Sequence, residues 1–101
     1  SDTQKTEVVH LLHFLRSTSC NIDRNGKKYK GEEAYSLVLK KYKYFRDRIK
    51  TTEEFIEHSA TKSTLSGEYY FVICGSEQSQ RTQDWLLQEL STYRQPRRSD
   101  G

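Results

Sequence analysis

Only one stretch of this chain reads as a buried strand. Tyr69-Tyr70-Phe71-Val72-Ile73-Cys74 is its longest clean apolar run, six residues of mainly aromatic and β-branched side chains. Elsewhere apolar residues recur three and four apart among charged ones, the spacing that gives a helix one buried face. In 101 residues that pattern leaves room for one core. The predicted fold class is α+β, about four helices packed on a small antiparallel sheet, as a single domain over residues 1–94 with a disordered basic tail over 95–101. Six apolar residues fall far short of the roughly 20 needed to span a bilayer, so no integral membrane protein is expected. An aromatic content of 12% excludes a disordered chain. The length excludes multi-domain enzymes and Rossmann-type dinucleotide binders.

The spacing predicts a first helix over residues 5–18 with Val8, Val9, Leu11, Leu12 and Leu15 as its apolar positions. A hairpin follows, turning at Arg24-Asn25-Gly26 because Asn and Gly tolerate positive φ, with Ile22 and Tyr29 pointing inward. A long second helix is expected over about 32–50, its stripe formed by Ala34, Leu37, Val38, Tyr42, Phe45 and Ile49. Thr51 with Glu54 three residues later is a capping box that starts a short third helix ending near Ala60. Residues 61–67 and 75–80 read as loops around the strand, and 82–94 as a last helix carrying Trp85, Leu86, Leu90 and Tyr93.

Cys20 and Cys74 lie 54 positions apart and belong to no CxxC or metal pattern. Two readings are open: a pair of unrelated buried thiols, or one disulfide, which we prefer. The bond would contribute about 3–4 kcal/mol by closing a long loop and would imply an oxidising compartment. The chain has no Met and opens Ser1-Asp2-Thr3, as a processed mature terminus would.

Charge is strongly segregated. Residues 24–50 hold ten Lys and Arg against three acids, a net +7, whereas residues 51–93 hold two against seven, a net −5. Interleaved Tyr29, Tyr35, Tyr42 and Tyr44 make the basic segment similar to a surface for nucleic acid or another polyanion. The alternative is a solvated helix face partly paired with the acidic half. No RNP motif, zinc finger or helix-turn-helix supports nucleic acid as the partner.

Chemical motifs are weak. Ser59-Ala60-Thr61-Lys62 matches S-x-x-K but lacks its usual companions. His10, His13 and His58 lack the carboxylates or cysteines of a metal site, so no metal and no cofactor is expected. A small hydrolase using Ser63, Ser66 or His58 is an alternative that needs a base beside the hydroxyl. The loop Lys62-Ser63-Thr64-Leu65-Ser66-Gly67 before Tyr69 either presents backbone N–H groups to an anion or is a turn held by its own hydroxyls. Trp85 is read as core. The candidate binding residues are therefore Arg24, Asn25, Lys40, Lys43, Lys50, Lys62, Ser63, Ser66, Gly67 and Tyr69.

Taken in order, Ser19-Cys20, Arg24-Asn25-Gly26, Glu33-Ala34, Lys41-Tyr42, Thr52-Glu53-Glu54-Phe55-Ile56, Lys62-Ser63-Thr64-Leu65-Ser66-Gly67 with Tyr70, Trp85-Leu86 and Tyr93-Arg94 resemble the YfeK-like proteins. These are small exported proteins of Gram-negative bacteria, a family of uncharacterised function, and the likeness covers residues 7–94. The resemblance implies a removed signal peptide and a periplasmic location, which favours the Cys20–Cys74 disulfide. It supplies no catalytic residue. It also turns the expected partner from nucleic acid to a protein or an anionic envelope polymer, met by a non-enzymatic binding module.

Overall fold

A computed structural model describes residues 1–96; of the tail, residues 97–101 lie outside the described residues. Helix α1 (Asp2–Ser17) leads into a hairpin of β1 (Asn21–Arg24) and β2 (Lys27–Tyr29), then α2 (Gly31–Tyr44). A 3-10 turn (Arg46–Arg48), α3 (Thr52–Ser59), β3 (Phe71–Ile73), β4 (Gln80–Arg81) and α4 (Thr82–Arg94) complete the chain. The α+β class with four helices and a small antiparallel sheet is what the periodicity predicts.

Helix α1 begins three residues earlier than its apolar spacing suggests, because the Ser1 hydroxyl accepts the Gln4 N–H and caps it. Val8, Leu11, Leu12 and Leu15 are buried, whereas Val9 lies 65% exposed on the opposite side. Gly31 opens α2 directly against the end of α1. A Cβ there would stand 2.6 Å from the Leu15 carbonyl oxygen and 2.9 Å from that of Arg16, so only glycine lets the two backbones approach this closely.

Helix α2 stops at Tyr44, short of the predicted residue 50. The chain tightens after Tyr44 into the 3-10 turn, with the Arg48 N–H on the Phe45 carbonyl and the Ile49 N–H on that of Arg46, and the capping box then bars a return to helix before Thr51. Glu54 Oε1 accepts the N–H groups of both Lys50 (2.8 Å) and Thr51 (3.0 Å). Those donors are therefore withheld from helical carbonyls, and Thr51 takes an extended conformation. Ile49 leaves the helix yet still reaches the core, being 7% exposed.

The sheet runs β2-β1-β3-β4, all antiparallel. Asn25 (φ 55°) and Gly26 (φ 81°) form the predicted tight turn. Ile22 pairs with Tyr29 on one side and Val72 on the other, and Ile22 and Val72 face the helices. Strand β3 is shorter than the apolar run: Tyr69 bridges only to Lys62, and Tyr70 bonds the Thr61 carbonyl and the Thr82 N–H instead of a strand. Strand β4 falls partly in a stretch read as loop, since two residues are too few to show alternation.

Asn21 pairs with Ile73, so Cys20 and Cys74 fall at the next position of the same antiparallel register. They are joined by a disulfide with their Cα atoms 4.4 Å apart. The bond extends the β1–β3 ladder by one rung and joins the hairpin to the central strand.

At the far end of the molecule a buried carboxylate ties three helices. Glu7, 6% exposed, takes a forked pair of bonds from Arg94 (2.7 and 2.9 Å) and one from the Thr52 hydroxyl (2.6 Å). Arg94 also binds Glu53. The Arg94 hydrogen bonds, helped by Thr52 and opposed by burial, hold Glu7 down at about 2, and Arg94 likewise lowers Glu53. Arg94 is itself raised, by Glu7 first and Glu53 second.

Candidate functional site

The tight turn of the hairpin and the loop after α3 meet through side chains that both carry for local reasons. Asn25 donates from Nδ2 to Ser63 Oγ (3.3 Å) and accepts the Ser66 hydroxyl at Oδ1 (2.6 Å). Ser66 Oγ in turn accepts the Glu68 N–H, and Ser63 Oγ the Ser66 N–H. The backbone closes the loop from Ser63 N–H to the Glu68 carbonyl and from Gly67 N–H to the Ser63 carbonyl, both 2.9 Å. Gly67 sits at φ 73°. Four N–H groups, those of Ser63, Ser66, Gly67 and Glu68, are thus already donated within the loop. The loop is a turn held by its own hydroxyls, and those four groups are not presented to an anion.

The same bonds bear on hydrolysis. Ser63 is 1% exposed, and its hydroxyl partners are an amide side chain and a backbone N–H. Among the described residues no imidazole or carboxylate side chain hydrogen-bonds Ser63 or Ser66. His58 instead stacks on Phe45 at 5.7 Å between ring centroids. Ser59 is fully buried with an unpartnered hydroxyl, while Lys62 is exposed. His10 pairs with Glu89 at 2.7 Å and stacks on Tyr93, and His13 lies beside Ser17. Among the described residues no three His, Cys, Asp or Glu side chains converge on a metal position.

Tyr69 is held against the Arg81 guanidinium, 3.9 Å from its ring centroid, with Lys62 Nζ at 5.9 Å. An open groove of about 510 Å³ runs from Asn25 and Gly26 past Tyr69 to Phe71 and Ile73 on the outer sheet face. Lys40, Lys43 and Lys50 are exposed and make no side-chain hydrogen bond to this region, so the structure does not bring them into the Asn25–Ser66 cluster.

Arg24 does not project from the hairpin tip. Alternation along β1 places it on the same face as Ile22, half-buried and turned inward. Its Nη1 donates to the Tyr29 hydroxyl (3.4 Å), and Tyr70 lines the same cleft. Tyr29 first, then Tyr70, raises the guanidinium pKa against the opposing effect of burial. Its Nε is buried without a partner, as is the Thr82 hydroxyl, and both residues line one narrow cleft of about 10 Å³ between sheet and α2. From α2, Lys41 Nζ donates to the Lys62 carbonyl (2.7 Å) and to the Tyr70 hydroxyl (3.2 Å). From β2, Lys27, paired in register with Arg24, stands over the Tyr29 ring at 5.2 Å.

Three cations from three elements therefore surround two tyrosines. Among the described residues, none of the ten Lys and Arg side chains of residues 24–50 forms a salt bridge; the ion pairs are Arg16–Glu32, Arg94–Glu7 and Arg94–Glu53, and His10 Nε2 is hydrogen-bonded to Glu89. Sequence reasoning missed Lys41 and Tyr70 as members of this group. The usable signal was the alternation from Ile22 to Arg24, which puts a cation on the inner sheet face.

No helix among the described residues is long and apolar enough to cross a membrane. No curated protein and no solved structure matches the chain. The model of a family of unknown function (DUF5329) matches residues 2–94. That span takes in every helix and strand, the disulfide and the cation cluster, and the chain belongs to that family of unknown function (DUF5329).

Proposed function

We propose that this protein is a non-enzymatic binding module of an oxidising, extracytoplasmic compartment, the periplasm, and that its partner is an anionic envelope polymer or an acidic protein surface. The observation that carries this reading is the set of basic side chains over residues 24–50 with no ion pair among the described residues. Glu53 and Glu89, from the acidic half, are committed to Arg94 and His10. Lys40, Lys43, Lys50 and Lys62 are exposed, so approaching them costs an anion little desolvation. The braced 62–69 loop adds a rigid rim that loses little entropy on binding. The Cys20–Cys74 bond supports the compartment, because such bonds persist where thiols are oxidised, and the likeness to YfeK-like exported proteins supports the same assignment.

The test is titration of labelled poly-glutamate with the disulfide-bonded protein at about 50 and about 200 mM salt. Binding driven by these cations weakens steeply between the two. The triple variant Lys40→Glu, Lys43→Glu, Lys50→Glu binds at least about tenfold more weakly at the lower salt. Equal binding by variant and parent would refute the reading.

A further inference from the structure

We propose that the mouth of the cleft between the β1–β2 hairpin and α2 is a binding site for a phosphate group, held by Arg24, Lys41, Lys27 and the Tyr29 hydroxyl. This site deepens the anion-binding reading above, on which it rests, by naming the group recognised.

A half-buried guanidinium is costly to keep without a counter-charge, and proteins ordinarily place a carboxylate beside it. Arg24 has none among the described residues. Its nearest acid in sequence, Asp23, faces the other side of the sheet and accepts the Gly26 N–H at 2.9 Å. What surrounds Arg24 is instead further positive charge and neutral hydroxyls. Lys41 donates to the Tyr70 hydroxyl, which lines the same cleft as Arg24 and Tyr29, and Lys27 lies across the Tyr29 ring whose hydroxyl Arg24 binds. Each of these cations is fixed by a different strand or helix, and Lys41 is anchored further by the Lys62 carbonyl. Like charges gathered this closely repel one another, and an anion at their centre relieves that repulsion.

The geometry selects among anions. A carboxylate is planar and is satisfied by the fork of one guanidinium. Here the donors do not share a plane: the fork comes from β1, an ammonium from α2, a second from β2 and a hydroxyl from Tyr29. Donors from several directions suit a tetrahedral oxyanion carrying more than one charge. The cleft itself, at about 10 Å³, has no room for the group, which sits at its mouth against the outer nitrogens of Arg24. A free phosphate ion and the phosphate of a lipid headgroup present the same chemistry.

The test titrates the nitrogen-15-labelled, disulfide-bonded protein with sodium phosphate at constant ionic strength, reading the Arg24 Nε–Hε resonance. A saturable shift is expected. Arg24→Gln and Lys41→Gln each weaken binding by about tenfold or more, and Lys5→Gln, on α1, leaves it unchanged. Should Arg24→Gln not fold, Lys41→Gln and Tyr29→Phe carry the same comparison, the latter with a smaller loss. A shift that chloride reproduces, tighter binding of acetate than of phosphate, or full binding by Lys41→Gln overturns the site. Phosphatidylglycerol vesicles then separate the sources: displacement of bound phosphate identifies a lipid headgroup, and no displacement identifies the free ion. Poly-glutamate binding reports separately on the wider reading. If it persists while phosphate fails to bind, the site falls and the module stands.

Discussion

Removing the charge of Glu7 should cost stability at neutral pH and almost nothing in strong acid. The folded-state pKa of Glu7 is about 2 against an ordinary value of 4.5, a difference worth at most about 3.4 kcal/mol. Arg94 keeps 41% of its side chain exposed, and solvent screening of the partner reduces the net effect to about 2 kcal/mol. Because the folded pKa is depressed, the contribution is complete above about pH 4.5 and is lost as pH falls toward 2. Glu7→Gln keeps the volume and can still accept the Thr52 hydroxyl, so it isolates the charge. Thermal unfolding followed by circular dichroism at pH 7 should show the variant melting about 10 °C below the parent. At pH 2 the gap should shrink to under about half a kcal/mol, because the folded parent carboxyl is then about half protonated and only about RT ln 2 of the linkage remains. A gap that is the same size at both pH values would show that the loss comes from packing and not from the charged fork.

Three other outcomes follow from the fold. Reducing the Cys20–Cys74 bond, or replacing both residues with Ala, should lower stability by about 3–4 kcal/mol and the melting point by about 15 °C or more; alkylation with intact mass verifies the bond, and an unchanged melt would contradict its role. Gly31→Ala should destabilise by about 1–3 kcal/mol in denaturant titration, since its Cβ meets the Leu15 carbonyl at 2.6 Å, and a neutral result would mean that α1 and α2 can separate freely. Asn25→Ala removes two hydrogen bonds at once, those to the Ser63 and Ser66 hydroxyls, so amide exchange of Ser66 and Glu68 should accelerate by about tenfold or more while α1 amides stay protected; unchanged exchange would show that the loop braces itself without the hairpin.

The elements that could be read from the sequence are those whose signals are local. The Asn25-Gly26 turn, the Thr51–Glu54 box and the α4 periodicity each lie within one segment, and each forms where local chemistry places it. Helix α2 was overestimated because the apolar stripe continues through Phe45 to Ile49, and nothing in periodicity reveals that Glu54 takes the Lys50 N–H. Contacts between distant segments were the illegible part. That Asn25 would lock onto Ser63 and Ser66, some 40 positions away, depends on the register β1 adopts against β3. The same holds for Lys41, which reads as one more lysine on a basic helix until the fold sets it beside Tyr70.

Segregated charge along a chain need not survive folding, because opposite halves commonly neutralise one another in space. Here no ion pair joins the two halves among the described residues, and the pairing at one end of the molecule draws on a cation from elsewhere. Arg94, from the end of α4, takes Glu7 and Glu53, from α1 and α3, so the acids at that end find a cation that lies outside the basic segment. His10 takes Glu89. The cations of 24–50 are left to tyrosine rings, hydroxyls, one carbonyl and water. Tyrosine can stabilise a neighbouring cation through its ring and its oxygen but cannot cancel the charge. A surface of this kind keeps its long-range attraction for anions, which raises encounter rates, while the rings and the disulfide-linked sheet keep the charged groups in place. A solvated helix face has no need of that positioning. Its cations would tolerate any order, whereas Arg24 and Lys41 depend on the positions that β1 and α2 give them.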